Sequence, residues 1–315
     1  MIRTFEGHLP VDPAIPALGA AADYGLGDVL DRVGLRVLVS RMAVLKHHLG
    51  DRCTLLLDCP GRRLVFKAYA QDPSPIARVL RVLSRHGLGS GHPPTVTPLE
   101  AVDADLRFLV FRWLEGARAR ELLGDGAGDR VGSLAVTWLR AAHPVELRLG
   151  EVFDPGRVLL EASRWRDALA RADTEIASDA AVTASTLEAK VPLATPHGLC
   201  HGSFSPSHLV DLREGPGLID WDSFCQGPIE LDAGNFLAVL SRIGTGIQGR
   251  READRAARTF RAGLSDLVKP DVLEWYRAAM LVKHAKYMSI RHPPRWKDRA
   301  GALLADARAA LEPLP

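Results

Sequence analysis

The feature that most limits how this chain can fold is a change of period along its length. Up to about residue 112 the apolar residues come in short extended runs, and beyond residue 116 they recur mostly at helical spacing. Three of the runs, 41–47, 53–59 and 63–69, are separated by Gly50-Asp51 and Pro60-Gly61. Glycine supplies positive φ and proline presets φ, so these pairs turn the chain and predict an antiparallel meander. Residues 28–40 read as a short helix running into a strand. After the meander, Ile76, Val79, Leu80 and Leu83 share one helical face, with Gly87 as C-cap. Two more strands are expected near 96–99 and 106–112, before Trp113-Leu114-Glu115-Gly116 breaks the pattern.

Helices are predicted over 117–124, 132–143, 156–173, 252–268, 271–290 and 296–311. The Ala/Ser/Thr-rich stretch 174–196 shows no clear period. A β-like island, 209–211 and 217–220, interrupts the helices, and there is no internal repeat. The order predicts an α+β chain of two lobes, a β-rich lobe over 1–112 and a helical lobe over 113–315. A ligand site is expected at their junction.

Composition excludes several classes. With 40 basic and 38 acidic residues, net charge +2 and arginines dispersed along the chain, neither nucleic acid nor an anionic membrane is an expected partner. No stretch reaches the run of about 18 apolar residues that a membrane helix needs. Residues 1–6 lack a basic region followed by an apolar run, so no signal peptide is expected. Cys53, Cys59, Cys200 and Cys225 form no C-x-x-C pair and read as reduced, buried thiols of a cytoplasmic protein.

The chemistry concentrates in the island. It reads Leu199-Cys200-His201-Gly202-Ser203-Phe204-Ser205-Pro206-Ser207-His208-Leu209-Val210-Asp211, then Gly217-Leu218-Ile219-Asp220-Trp221-Asp222. This resembles the catalytic and metal-binding segments of the aminoglycoside phosphotransferase and choline kinase family, where the loop is H-G-D-x-x-x-x-N and the following strand ends I-D. The run Gly227-Pro228-Ile229-Glu230-Leu231-Asp232-Ala233-Gly234-Asn235-Phe236-Leu237 resembles that family's continuation. Upstream, Leu64-Val65-Phe66-Lys67 resembles its third-strand lysine motif. Phe108 to Gly116 resembles the lobe connector that lines the adenine pocket. The pieces keep the family's order across roughly residues 40–290.

The resemblance implies a protein-kinase-like fold and an ATP-type cleft. Phosphoryl transfer needs mainly positioning and charge neutralisation. Lys67 would be a point charge on the phosphates, Phe111 and Trp113 would line the adenine pocket, and Asp220 would be a hard oxygen ligand for Mg²⁺. His201 would orient the loop by hydrogen bonding, and Asp232 would steady it through backbone amides.

The departures are as telling. The family's catalytic aspartate falls at Ser203, whose hydroxyl cannot hold negative charge near neutral pH. Its metal-binding asparagine falls at His208, and imidazole suits softer ions better than Mg²⁺, so Mn²⁺ is the alternative metal. The helix expected to give the lysine a glutamate partner has Ile76 at that place and no acid, leaving Asp72 as a substitute. Asp222, Asp211 and Ser205 are candidates for a displaced base. The leading expectation is therefore a nucleotide-binding family member with a weak or inactive catalytic centre. The alternatives are an active kinase for a small hydroxylated molecule or a peptide, and a non-catalytic binding subunit with a protein partner.

Weaker constellations are set aside. His197, Cys200, His201 and His208 could be written as a zinc set, but the kinase motif already uses two of them. Gly87-Leu88-Gly89-Ser90-Gly91 follows a helix, not a strand, so it is no dinucleotide fingerprint. Trp275, Tyr276, Leu281 and Met288 read as core.

Overall fold

The computed structural model describes residues 9–193, 196–245 and 249–314. Residues 1–6, expected to carry no signal peptide, and residues 194–195 of the Ala/Ser/Thr-rich stretch lie outside them. The chain divides into two units, Met1–Glu115 and Gly116–Pro315.

In the first unit, β1 (Arg41–His48), β2 (Arg52–Cys59) and β3 (Arg62–Tyr69) form the expected meander. Gly50 and Gly61 turn it with φ of 74° and 77°. The antiparallel sheet is completed by β6 (Phe108–Arg112) and β5 (Leu99–Asp103), in the order β1-β2-β3-β6-β5. Period-two alternation puts Cys53, Leu55, Leu57 and Cys59 of β2 inward. Two helices at the start of the chain, α1 (Pro16–Tyr24) and α2 (Leu26–Asp31), share a core with Leu55, Leu57, Leu64, Phe66, Phe108 and Val110. Asp12 ties this N-terminal segment to the β1–β2 turn, accepting from Gly50 N at 2.8 Å and bonding His47 Nε2 at 2.9 Å.

The expected strand at 96–99 resolves differently. β4 is only Thr95–Val96, and β5 begins at Leu99, after Pro98, which has no amide to extend a ladder. The helix α3 (Ser74–Leu83) buries Ile76, Val79, Leu80 and Leu83. Asp72 accepts the Ser74 amide at 2.9 Å and so serves the start of this helix.

The second unit is mainly helical: α4 (Ala119–Gly124), α5 (Gly128–Ala142), α6 (Pro155–Ala172), α7 (Thr174–Ala189), α8 (Ile229–Gly244), α9 (Arg250–Gly263), α10 (Pro270–Arg291) and α11 (Trp296–Leu311). The unperiodic stretch turns out to contain α7, whose N-cap Asp173 accepts from Glu175 N and Ile176 N. α8 was not expected. Every residue from Glu230 to Leu240 is buried, so this helix has no polar face to set a period. Trp275, Tyr276, Leu281 and Met288 sit in the core formed by α6, α7, α8, α10 and α11, and Trp275 Nε1 donates to Leu187 O at 3.0 Å. The short strands are β7 (Ala117–Arg118), β8 (Gly198–Cys200), β9 (Leu209–Asp211), β10 (Pro216–Leu218) and β11 (Cys225–Gly227). β9 and β10 form a hairpin, β7 pairs with β9, and β11 pairs with β8. All four cysteines are free and buried. No helix of the described residues is long and apolar enough to cross a membrane.

Candidate active site

β8 delivers the chain into a loop over residues 201–208, and β9–β10 returns it to Asp220. The first turns of α8 hold this loop. Asp232 accepts the backbone amides of His201 at 2.6 Å and Gly202 at 2.9 Å, and Asn235 Nδ2 donates to Phe204 O at 2.8 Å. Burial pushes the Asp232 carboxyl up to about 6, against the pull of those amides, so it remains charged at neutral pH. Gly202 has φ of 73°, and a Cβ there would lie 1.9 Å from Ser223 O. Only glycine fits.

His201 is buried and its tautomer is fixed by its partners. Nε2 donates to Ile219 O at 3.0 Å, which leaves Nδ1 as acceptor for the Ser203 hydroxyl at 3.1 Å. Its ring lies 4.8 Å from Trp221 and 5.3 Å from His208, centre to centre. His208 Nδ1 donates to Ser203 O at 2.9 Å, and its Nε2 stands 3.5 Å from Asp220 Oδ2. Asp220 has φ of 68°, a left-handed conformation uncommon for a residue with a side chain. Strain of this kind collects at functional positions. The structure thus brings Ser203, His201, His208 and Asp220 together in one loop cluster.

The other three expected site residues lie in the first unit. Lys67 is buried on β3, with Nζ 5.7 Å from the Tyr69 ring centre. Phe111 is buried on β6, opposite Val65. Trp113 donates its amide to Arg63 O at 3.0 Å, and the Arg63 guanidinium lies 5.0 Å over its ring. Arg63 in turn pairs with Glu115, which pins the connector.

One expectation changes. Asp211 is engaged by Arg130, which donates from Nε at 2.9 Å and from a terminal nitrogen at 2.7 Å. This pair holds the Asp211 carboxyl below the ordinary range and removes it as a displaced base. The zinc set that was put aside does not assemble either. Cys200 Sγ contacts Gly227 O and Pro228 O, both His201 nitrogens are engaged, and the described residues contain no group of three or more donors that could hold a metal. Asp220 with His208 fits a different role. One carboxylate and one imidazole suit a metal held chiefly by nucleotide phosphates. Sequence reasoning did not assign the clamp by Asn235, the tilted contact of Trp221 with His201 or the positive φ of Gly202. The signals were the glycine directly after the loop histidine and the places of Trp221 and Asn235 within the quoted motif runs.

A β-sheet unit with a buried strand lysine, joined to a helical unit with this loop, defines a kinase-like phosphotransferase fold. Residues 54–276 match the model of the phosphotransferase enzyme family, and the chain belongs to that family. Its fold is shared by an aminoglycoside phosphotransferase, APH(4)-Ia, with TM-score 0.65 and 13% identity, covering 93% of this chain and 98% of that one. Spectinomycin phosphotransferase APH(9)-Ia, solved with ADP and spectinomycin, gives TM-score 0.59 and 13% identity over 90% of this chain and 97% of that one. A choline/ethanolamine kinase family protein from Mesorhizobium loti gives TM-score 0.54 and 17% identity over 82% and 85%. No curated protein matches the chain.

Proposed function

We propose that this chain binds an ATP-type nucleotide and carries a phosphotransferase centre that has lost its substrate-side carboxylate, so that it turns over slowly or not at all. The observation that carries this reading is Ser203. At the family's aspartate position its hydroxyl is spent on His201 Nδ1 at 3.1 Å. A positioned base is worth about 10²–10⁴-fold in rate. Lys67 would neutralise the phosphates, Phe111 and Trp113 would line the base pocket, and Asp220 with His208 would hold Mg²⁺ or Mn²⁺. Such a metal would supply charge neutralisation of the phosphates. A neighbour solved with ADP supports the nucleotide assignment.

The test is thermal unfolding with ATP and ADP, with and without Mg²⁺ or Mn²⁺. A ligand at a hundredfold excess over Kd stabilises the native state by about 2.7 kcal/mol. Lys67→Ala should weaken the response, and Asp220→Asn should remove its metal-dependent part. Equal responses from wild type and Lys67→Ala would defeat the reading.

One contact favours a second reading, an active kinase with a displaced base. Ser203 could accept the substrate hydroxyl's proton as its own passes to His201 Nδ1, giving an imidazolium that keeps its Nε2 proton on Ile219 O. Turnover of the wild type at about 1 s⁻¹ or faster, inside the usual kinase range, decides for this reading.

A further inference from the structure

The far end of α8 gathers positive charge. Arg242 lies in the last turn of this helix and is only partly exposed. Among the described residues no side-chain or backbone acceptor meets its guanidinium. Its main charged neighbours are Arg120, Arg291 and Arg299, with the Tyr287 phenol acting against them. Burial first, and these arginines second, push its pKa down to about 10, which still leaves it charged at neutral pH.

The geometry explains how four elements meet there. Arg299, in the first turn of α11, donates from Nε to Thr245 Oγ1 at 3.0 Å, and Thr245 Oγ1 donates to Arg242 O at 2.7 Å. Arg291 ends α10, which packs along α8. Arg120 lies at the start of α4, and its amide donates to Pro206 O of the catalytic loop at 3.0 Å. On α10, His284, Tyr287 and Arg291 follow at i, i+3 and i+7 and share one face. His284 is 5% exposed, and neither of its ring nitrogens has a hydrogen-bond partner. Burial, then Arg242 and Lys283, hold it well below the ordinary histidine range, so it is neutral with one N–H to give.

Acids on α8, α10 and α11 have partners of their own. Glu274 and Asp306 hold Arg277, Asp298 holds Arg295, and Asp232 holds the loop amides. Arg242 is half-buried with other guanidinium groups as its main charged neighbours, a costly arrangement unless an anion joins them. The arginine fork is suited to carboxylate and phosphate.

We infer that Arg242, Arg120, Arg291 and Arg299, with His284 and Tyr287, form an anion site that holds the carboxylate or phosphate of a small hydroxylated substrate. The inference rests on the phosphotransferase reading of the loop. Asn235, which clamps the loop, and Arg242 are seven residues apart on the same face of α8, about 10 Å along the axis.

The test titrates D-glycerate and glycerol 3-phosphate against the protein by calorimetry at low salt, with glycerol and choline as neutral and cationic counterparts. The two anions separate carboxylate from phosphate. Arg242→Gln and Arg291→Gln are compared with wild type and with Arg164→Gln, an exposed arginine paired with Glu161. Arg291 is at an exposed helix end, so its variant folds even where Arg242→Gln does not. At least one anion should bind the wild type and Arg164→Gln alike, and lose about tenfold in affinity in either site variant, as for one charge-assisted contact. Binding that is unchanged in both site variants, choline binding more tightly than either anion, or no anion binding at millimolar concentration overturns the inference. ADP binding is measured in parallel. If it depends on Lys67 and not on Arg242 while the anions fail, the phosphotransferase reading stands and only the anion site falls.

Discussion

Asp232 concentrates two opposing effects on a single carboxyl. Burial favours its neutral form, and the His201 and Gly202 amides favour the charge. Burial wins, raising it from 3.8 to about 6. Between those values the native chain binds more protons than the unfolded one, so this group's contribution to stability falls as pH rises and levels off above about 6. Asp232→Asn cannot titrate and loses one loop amide bond. Its penalty relative to wild type should be greatest in acid and shrink with rising pH, by up to roughly 3 kcal/mol. Urea unfolding of both proteins from about pH 4 to about pH 7 checks this, since the other carboxylates cancel in the difference. A penalty that grows with pH would mean that the amides outweigh burial.

At the scale of elements, the seat of α8 against α10 decides whether Asp232 and Asn235 reach the loop. A Cβ on Gly234 would meet Arg277 N at 2.7 Å and the Tyr276 carbonyl carbon at 2.9 Å. Both are backbone atoms and cannot swing aside. Gly234→Ala should therefore cost about 1–3 kcal/mol in urea unfolding, as overpacking does. Gly124→Ala, with open space around it, should cost nothing. The sequence announced the meander because Gly50 and Gly61 mark its turns, and it announced α10 and α11 by helical period. It hid α8, which is buried all round, and it placed a strand across Pro98. Order and spacing made the loop residues legible, with Ser203 and His208 visible as departures. The bonds among them were not legible, because they depend on folded distances. Arg130 meets Asp211 across 81 positions. The arginines of the anion site come from four helices and look dispersed when read along the chain.

For the whole molecule the question is whether the family's fold still performs the family's chemistry. The fold is retained at 13–17% identity to the solved structures compared above. On the proposed reading, Ser203 stands where the residue that takes the substrate proton would be. Ser203→Asp would place a carboxylate near the start of the loop, and His208→Asn an amide beside Asp220. If the aspartate is all that is missing, the double variant should gain roughly 10²–10⁴-fold in ATP consumption over wild type on the same substrate, about 3–5 kcal/mol of barrier. Removing Ser203 also frees His201 Nδ1, and removing His208 frees Ser203 O, so unfolding must be followed beside activity. The substrates to try first are the hydroxylated anions that bind through Arg242, because rate can recover only for a substrate that is held. A wild type that already consumes ATP at about 1 s⁻¹, with no gain from the variant, would place the base elsewhere. His201 would then be the residue to test, since its Nδ1 already accepts a serine proton. His201→Gln should then abolish turnover, while Asp211→Asn, whose carboxylate belongs to Arg130, should not.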